Sequence, residues 1–194
     1  ILNVHDSEGV RYEEPKLKIV GIEAIKSSTP ESCRKALKEV FNIIVDGTED
    51  DVIEYIEEFK EKFKNMRMEE VAFPRSVKGL KKYKDASTIY KKSTPIHVKG
   101  SLIYNHVLRD KKLTKKYPTI KEGEKIKFAY LKDPNPVGNR VISVLNMLPD
   151  EFNLEKSIDY DTQFAKAFVD PLKGVLDVIG WDTERRASLE EFFV

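Results

Sequence analysis

Lysine set beside tyrosine, histidine and small hydroxyl residues is the recurring chemical pattern in the middle of this chain. It occurs as Lys81-Lys82-Tyr83-Lys84, as Tyr90-Lys91-Lys92-Ser93-Thr94 and as His97-Val98-Lys99-Gly100. Such groupings suit the tracking of a phosphate backbone. Lysine supplies long-range attraction, while tyrosine, hydroxyl groups and backbone amides fix register without reading sequence. A merely solvated lysine-rich loop has the same composition, so both readings stay open at this point. Lys111-Lys112 and Lys115-Lys116 fit a mobile surface tip equally well.

The formal net charge of +1 conceals a strong segregation. Residues 75–132 carry 17 Lys/Arg against only Asp85, Asp110, Glu122 and Glu124. Residues 1–74 carry 11 basic against 17 acidic side chains, and 133–194 carry 6 against 12. A basic centre between acidic ends is the distribution a nucleic-acid-binding face requires, which the whole-chain sum hides.

Other chemistries find little support in residue spacing. There is no glycine-rich phosphate loop, and His5, His97 and His106 are not spaced as a metal-ligating helix pair. Asp50-Asp51 and Glu57-Glu58 fall on the polar faces of predicted helices and read as solvated charge. No nucleophile elbow surrounds any serine, so no catalytic residue and no metal ligand is assigned. Cys33 has no partner for an internal disulfide and lies on an apolar helical stripe, which predicts a core residue. No run of about eighteen apolar residues and no signal-peptide pattern is present, so a soluble intracellular protein without a membrane partner is expected.

The elements that must position the basic centre are predicted as follows. Leu2-Asn3-Val4-His5 and Leu17-Lys18-Ile19-Val20 read as two strands with a turn at Gly9, and a chain opening in strand residues looks cut from a larger sheet. Ser27-Ser28-Thr29-Pro30-Glu31 predicts a hydroxyl-capped helix with Cys33, Leu37, Val40, Phe41 and Ile44 on its apolar stripe. Thr48 and Asp51 predict the cap of a second helix, with Val52, Ile56, Phe59 and Phe63 buried and an end near Asn65. A strand near Met68 to Phe73, a loop through Tyr83 to Pro95 and a short helix over Ser101 to Arg109 follow. Lys125 to Leu131 and Val141 to Leu145 predict strands around the turn-forming Asp133 to Gly138. A last helix starts near Tyr160 to Thr162, with Phe164, Ala167, Phe168, Leu172, Val175, Leu176 and Ile179 on one side; Pro171 would kink it and Gly180 would end it.

Five ordered stretches resemble the C-terminal part of a family B DNA polymerase of the T-even-type bacteriophages. They are Arg11 to Ile19, Lys26-Ser27-Ser28-Thr29-Pro30, His97-Val98-Lys99-Gly100, Asn135-Pro136-Val137-Gly138-Asn139 and Ala187-Ser188-Leu189. Tyr160 to Gly180 is similar to the final thumb helix of such polymerases. The resemblance implies an α+β fold: a thumb domain of amphipathic helices and a small mixed β region over 22–184, preceded by terminal palm strands over 1–21. Residues 185–194 would form a clamp-binding tail.

Residue by residue, the resemblance places Lys26 toward the minor groove of primer-template DNA, where acceptors common to all base pairs allow pairing to be sensed. It places Lys82, Tyr83, Lys92, His97 and Lys99 on the DNA backbone, with Lys125 and Arg140 as further members. Lys99 departs from the family pattern, where arginine is usual, and so keeps the charge without the bidentate fork. The family's catalytic signature Tyr-x-Asp-Thr-Asp does not occur. The resemblance therefore implies no cofactor in this chain, with a divalent metal (Mg) held by an upstream polymerase chain carrying palm, fingers and exonuclease, in the cytoplasm of an infected bacterial host.

The tail has two open readings. Leu189, Phe192 and Phe193 either dock back on the parent fold or enter a partner's apolar pocket, and their spacing is similar to the peptides by which polymerases engage a sliding clamp, with Arg186 where glutamine is common. The leading expectation is a thumb fragment or split subunit of a DNA-directed DNA polymerase. The alternatives are a stand-alone DNA-binding or clamp-interacting adaptor and an excised fragment with no independent role.

Overall fold

The computed structural model describes residues 2–5, 7–17 and 26–185. Lys18 to Val20, the palm–thumb boundary at 21–22 and the tail residues Leu189, Phe192 and Phe193 lie outside the described residues.

Strand β1 (Leu2–His5) pairs antiparallel with β2 (Arg11–Leu17) across the turn at Gly9. The second strand thus begins six residues earlier than its apolar pattern predicted. Its ladder steps from Asn3↔Lys16 to His5↔Arg11, so Pro15 falls in an irregular stretch where a missing N–H costs no ladder bond.

Helix α1 (Glu31–Asp46) carries Cys33, Ala36, Leu37, Val40 and Phe41 into the core, as its spacing predicted. Its start differs from the expected hydroxyl cap. Pro30 itself holds the N-cap position with φ −52° and ψ 143°, no side chain caps the helix, and Thr29 is buried. The residues before it form a turn closed by Thr29 N–H donating to Lys26 O at 3.0 Å.

Helix α2 (Glu49–Lys64) has the predicted reciprocal cap: Thr48 N–H donates to Asp51 Oδ2 at 2.8 Å, and Asp51 N–H donates to Thr48 Oγ1 at 3.3 Å. Each bond satisfies an amide that a helix start otherwise leaves unpaired. Val52, Ile56, Phe59 and Phe63 are buried.

Met68 to Phe73 is not a strand. Its first part forms the single-turn helix α3 (Met68–Val71), because Arg67 N–H donates to Glu70 Oε2 at 3.0 Å and Glu70 N–H returns to Arg67 O at 3.0 Å. The strand β3 occupies Phe73–Ser76. The expected loop over Tyr83 to Pro95 contains the end of α4 (Leu80–Tyr83) and a small hairpin, β4 (Lys84–Asp85) with β5 (Ile89–Tyr90). Helix α5 (Ile96–Asp110) begins five residues before the predicted Ser101, directly after Pro95 at its N-cap.

Strands β6 (Lys125–Tyr130) and β7 (Val141–Val144) match their predicted positions. With β3 they make an antiparallel sheet in the order β3-β6-β7. All four residues of β7 are buried, and α5 packs on this strand. Asn105 of α5 mimics a strand neighbour for Ile120: its Nδ2 donates to Ile120 O at 2.8 Å and its Oδ1 accepts from Ile120 N–H at 2.7 Å.

The final helical segment runs as α6 (Tyr160–Phe164), a π-helical turn (Ala165–Val169) and α7 (Asp170–Ile179). The irregularity precedes Pro171, whose absent N–H leaves the carbonyl one turn earlier without its usual donor; the wider turn lies there. Gly180 stops the helix at φ 75°, a backbone state open to glycine, and Trp181 N–H donates to Leu176 O at 3.1 Å. Phe164, Ala167, Phe168, Leu172 and Leu176 are buried, but Ile179, expected on the same stripe, is exposed. Phe59 of α2 meets Phe164 and Phe168 at ring separations of 5.8 and 4.8 Å, joining α2 to the final helical segment in one core.

Candidate nucleic-acid interface

The basic surface is assembled from the α4–hairpin segment upward. The Glu122 carboxylate accepts from Gly79 N–H and from Leu80 N–H, the latter at 2.9 Å, and so fixes the start of α4. Asp85 closes the hairpin turn by accepting from Ser87 N–H, Ser87 Oγ and Thr88 N–H at 2.7 to 3.0 Å. These bonds hold its carboxyl far below the ordinary carboxylate range, the Ser87 hydroxyl contributing most. Lys91 then folds back: its N–H donates to Tyr83 O at 2.9 Å and its Nζ to Lys82 O at 2.7 Å. Lys82 and Lys92 are exposed and Tyr83 is half-buried beside this turn.

Tyr90 ties that knob to two other parts of the surface. Lys99 Nζ, from the first turn of α5, lies 4.5 Å from the Tyr90 ring centroid, a cation–π geometry. The Tyr90 hydroxyl donates to Asn139 Oδ1 at 2.6 Å, anchoring the turn between β6 and β7. Asn135 rigidifies the same turn through Nδ2 bonds to Lys132 O at 2.7 Å and Asn139 O at 2.8 Å. Arg140 follows at once, with Nε 3.5 Å from Asp133 Oδ2; both side chains are well exposed, so the pair is weak and its cation remains accessible.

His97 sits deeper. It is half-buried with its ring 6.4 Å from Phe128, and its backbone carbonyl accepts from Ser101 Oγ at 2.8 Å and Ser143 Oγ at 2.9 Å. Burial, then the charge of Arg75, lowers its pKa from the ordinary 6.5. Arg75 in turn donates to Ser28 O at 2.7 Å and Pro74 O at 2.9 Å, its guanidinium lying about 6 Å from the Phe73 and Phe128 rings. Arg75 thus ties the exposed Lys26 turn to the Phe128 ring that His97 also faces, while Lys99 and Tyr90 form a second linked group with the hairpin.

Not every predicted residue joins this group. Lys125 is exposed at the start of β6 opposite Ser76, whereas Arg140 lies beyond the end of the same strand, where its carbonyl accepts from Leu131 N–H. At about 3.3 Å per residue the strand separates the two by roughly 20 Å. Lys116 is no free tip: its Nζ contacts Glu151 Oε1 at 2.5 Å, and Tyr117 donates to the other carboxylate oxygen at 2.9 Å, bonds that hold Glu151 down at about 2.

Sequence reasoning did not single out Arg75 or the Tyr90–Asn139 bond. Both act between segments 47 and 49 residues apart, so no local spacing could have revealed them. Among the described residues, no group of three or more His, Cys, Asp or Glu converges as a metal site, and no helix is long and apolar enough to cross a membrane.

No protein-family model matches the chain. Among curated proteins, it is 33% identical over 196 residues to the DNA-directed DNA polymerase of Enterobacteria phage T4, covering 99% of this chain and 21% of that protein. It is 34% identical over 198 residues to the DNA-directed DNA polymerase of Escherichia phage RB69, again with 99% and 21% covered. The chain thus spans about a fifth of the length of these relatives.

Proposed function

We propose that this chain, a relative of the T4-type phage DNA-directed DNA polymerases along 99% of its length, is the thumb part of such a family B enzyme, as a split subunit or a fragment. Its role is to grip primer-template duplex and hold the primer end for an upstream chain that carries palm, fingers and exonuclease. The observation that carries this reading is a pair of linked cationic groups: the Lys26 turn bonded to Arg75, which faces the Phe128 ring with His97, and Lys99 stacked on Tyr90 beside the hairpin next to Lys82.

Positively charged side chains and hydroxyls on that surface suit phosphates at any sequence. Nucleotidyl transfer takes place in the upstream chain, where divalent metal (Mg) stabilises charge on the reacting phosphate. Here the basic surface supplies positioning, with Lys125 and Arg140 as outlying contacts. In the tail, Leu189, Phe192 and Phe193 anchor a sliding clamp. The replication complex operates in the cytoplasm of the phage's bacterial host.

Three measurements test this. Mixing the chain with its upstream partner restores primer extension that neither shows alone, and continued inactivity of a folded mixture overturns the subunit reading. Duplex binding falls steeply with salt and ignores sequence; a flat salt response overturns the phosphate grip. Deleting Leu189 to Val194 removes clamp stimulation while distributive synthesis persists, and survival of stimulation takes the tail out of clamp binding.

A further inference from the structure

A cleft of about 720 Å³ opens between α4, the β4–β5 turn, α5 and residues 120–122. Its size falls in the range of ligand-binding clefts. The floor is aliphatic: Leu80, Leu102 and Ile120 are buried there, and Ile89 packs beside them. Ile89 has φ 68°, a left-handed state that a β-branched side chain disfavours, so its place at the cleft is held by the surrounding packing.

The rim is cationic. Lys81, Lys84, Arg109 and Lys121 line the opening and are exposed. None of the four takes part in an ion pair among the described residues. The two carboxylates at the rim are already engaged, Asp85 by the hairpin turn and Glu122 by the start of α4. Asn105 spends both ends of its amide on Ile120. What remains available is an apolar floor beneath a rim of net positive charge, four cations against two carboxylates whose oxygens are already engaged.

We propose that this cleft docks an acidic peptide segment of a protein partner, with one large apolar side chain seated on the aliphatic floor. Charge complementarity selects the flanking Asp or Glu residues, and the floor selects the anchor. A nucleic acid fits less well, because single strands bind through aromatic stacking platforms and no Phe, Tyr or Trp lines the cleft. None of the proposed grip residues Lys26, Lys82, Tyr83, Lys92, His97 and Lys99 lines the cleft, although the two sites share α4 and the β4–β5 hairpin.

The test uses the full chain and a fluorescein-labelled synthetic peptide, glutamate-rich with a single central Phe, read by fluorescence anisotropy. Saturable binding is expected, weakened roughly tenfold by Arg109→Ala with Lys121→Ala, by omitting the Phe, and by His106→Trp at the exposed mouth. Because His106→Trp keeps every lysine and arginine and leaves α4 and the hairpin untouched, its duplex DNA affinity is expected to stay within about twofold, which separates failure of this site from failure of the duplex grip. Absence of peptide binding, or equal binding by all variants, overturns the proposal. Displacement of the peptide by a single-stranded oligonucleotide whose own affinity falls in the same variants also overturns it, in favour of a nucleic-acid site.

Discussion

Gly100 of α5 meets Ser143 of β7 with no space for a side chain between them: a Cβ on Gly100 would lie 2.5 Å from Ser143 Oγ and 2.9 Å from Ser143 N. The helix can approach the sheet this closely because the residue is glycine. Gly100→Ala gains about 1 kcal/mol of helix propensity but forces backbone apart. A net loss of about 1 to 3 kcal/mol is expected from urea denaturation. Adding Ser143→Ala removes the hydroxyl clash together with the bond that Ser143 Oγ donates to His97 O, so the double variant should recover at most part of the loss; full recovery would show that the strand backbone yields freely and that the lost bond costs little.

Much of the helical frame is legible in the sequence because its signals are local. The Thr48–Asp51 cap and the stripe through Phe59 and Phe63 involve residues within a few turns of one another, and Gly180 ends the last helix as its type predicts. The basic centre was harder. His97 to Gly100 lay between the loop expected to end at Pro95 and the helix expected from Ser101, but the segment is the first turn of α5 and packs on β7, a contact made across more than 40 residues. Pro15 misled, because the strand runs through it across an irregular stretch of the ladder, whereas the expected disturbance at Pro171 takes the form of the π-helical turn just before it.

The candidate site was legible as composition and not as geometry. Lys82, Tyr83, Tyr90, Lys92 and Lys99 belong to clusters of interleaved charge and aromatic residues, yet nothing local marks Asn139 and Lys99 as the partners of Tyr90, and Arg75 lies outside those clusters.

Gln163 offers a second stability test. It is fully buried, its Nε2 donating to Val71 O at 2.7 Å and its Oε1 accepting from Tyr130 N–H at 3.2 Å, so one side chain joins α6, the end of α3 and β6. Gln163→Leu keeps the volume but strands both backbone groups. The expected cost is about 2 to 4 kcal/mol, seen as a lowered denaturation midpoint with an unchanged denaturant slope. A loss below about 0.5 kcal/mol would mean that water reaches both groups.

The two functions of Tyr90 can be separated by substitution. Tyr90→Phe keeps a ring beneath Lys99 Nζ and removes the bond to Asn139 Oδ1, whereas Tyr90→Leu removes both. With Lys99 and the 133–140 turn contributing to the duplex grip, affinity should fall about threefold for the first and about tenfold for the second. Equal losses in a filter-binding or anisotropy titration would assign the whole effect to the hydroxyl bond.

A duplex grip that includes His97 carries a pH dependence of defined sign. Its pKa is lowered from 6.5 by burial first and by Arg75 second, so the folded protein binds the imidazole proton less readily than the unfolded chain. The associated stability is fully present above 6.5 and is lost as pH falls through the lowered folded value. A DNA phosphate beside His97 opposes both causes by favouring imidazolium and screening Arg75. Duplex binding then takes up a proton, and affinity rises as pH falls below 6.5, by at most about tenfold per pH unit. His97→Gln should bind duplex without that rise when titrated at constant ionic strength between about pH 7.5 and 5.5. An identical pH dependence in the variant and the parent would remove His97 from the phosphate contacts, leaving Lys26 and Lys99 to flank a structural histidine.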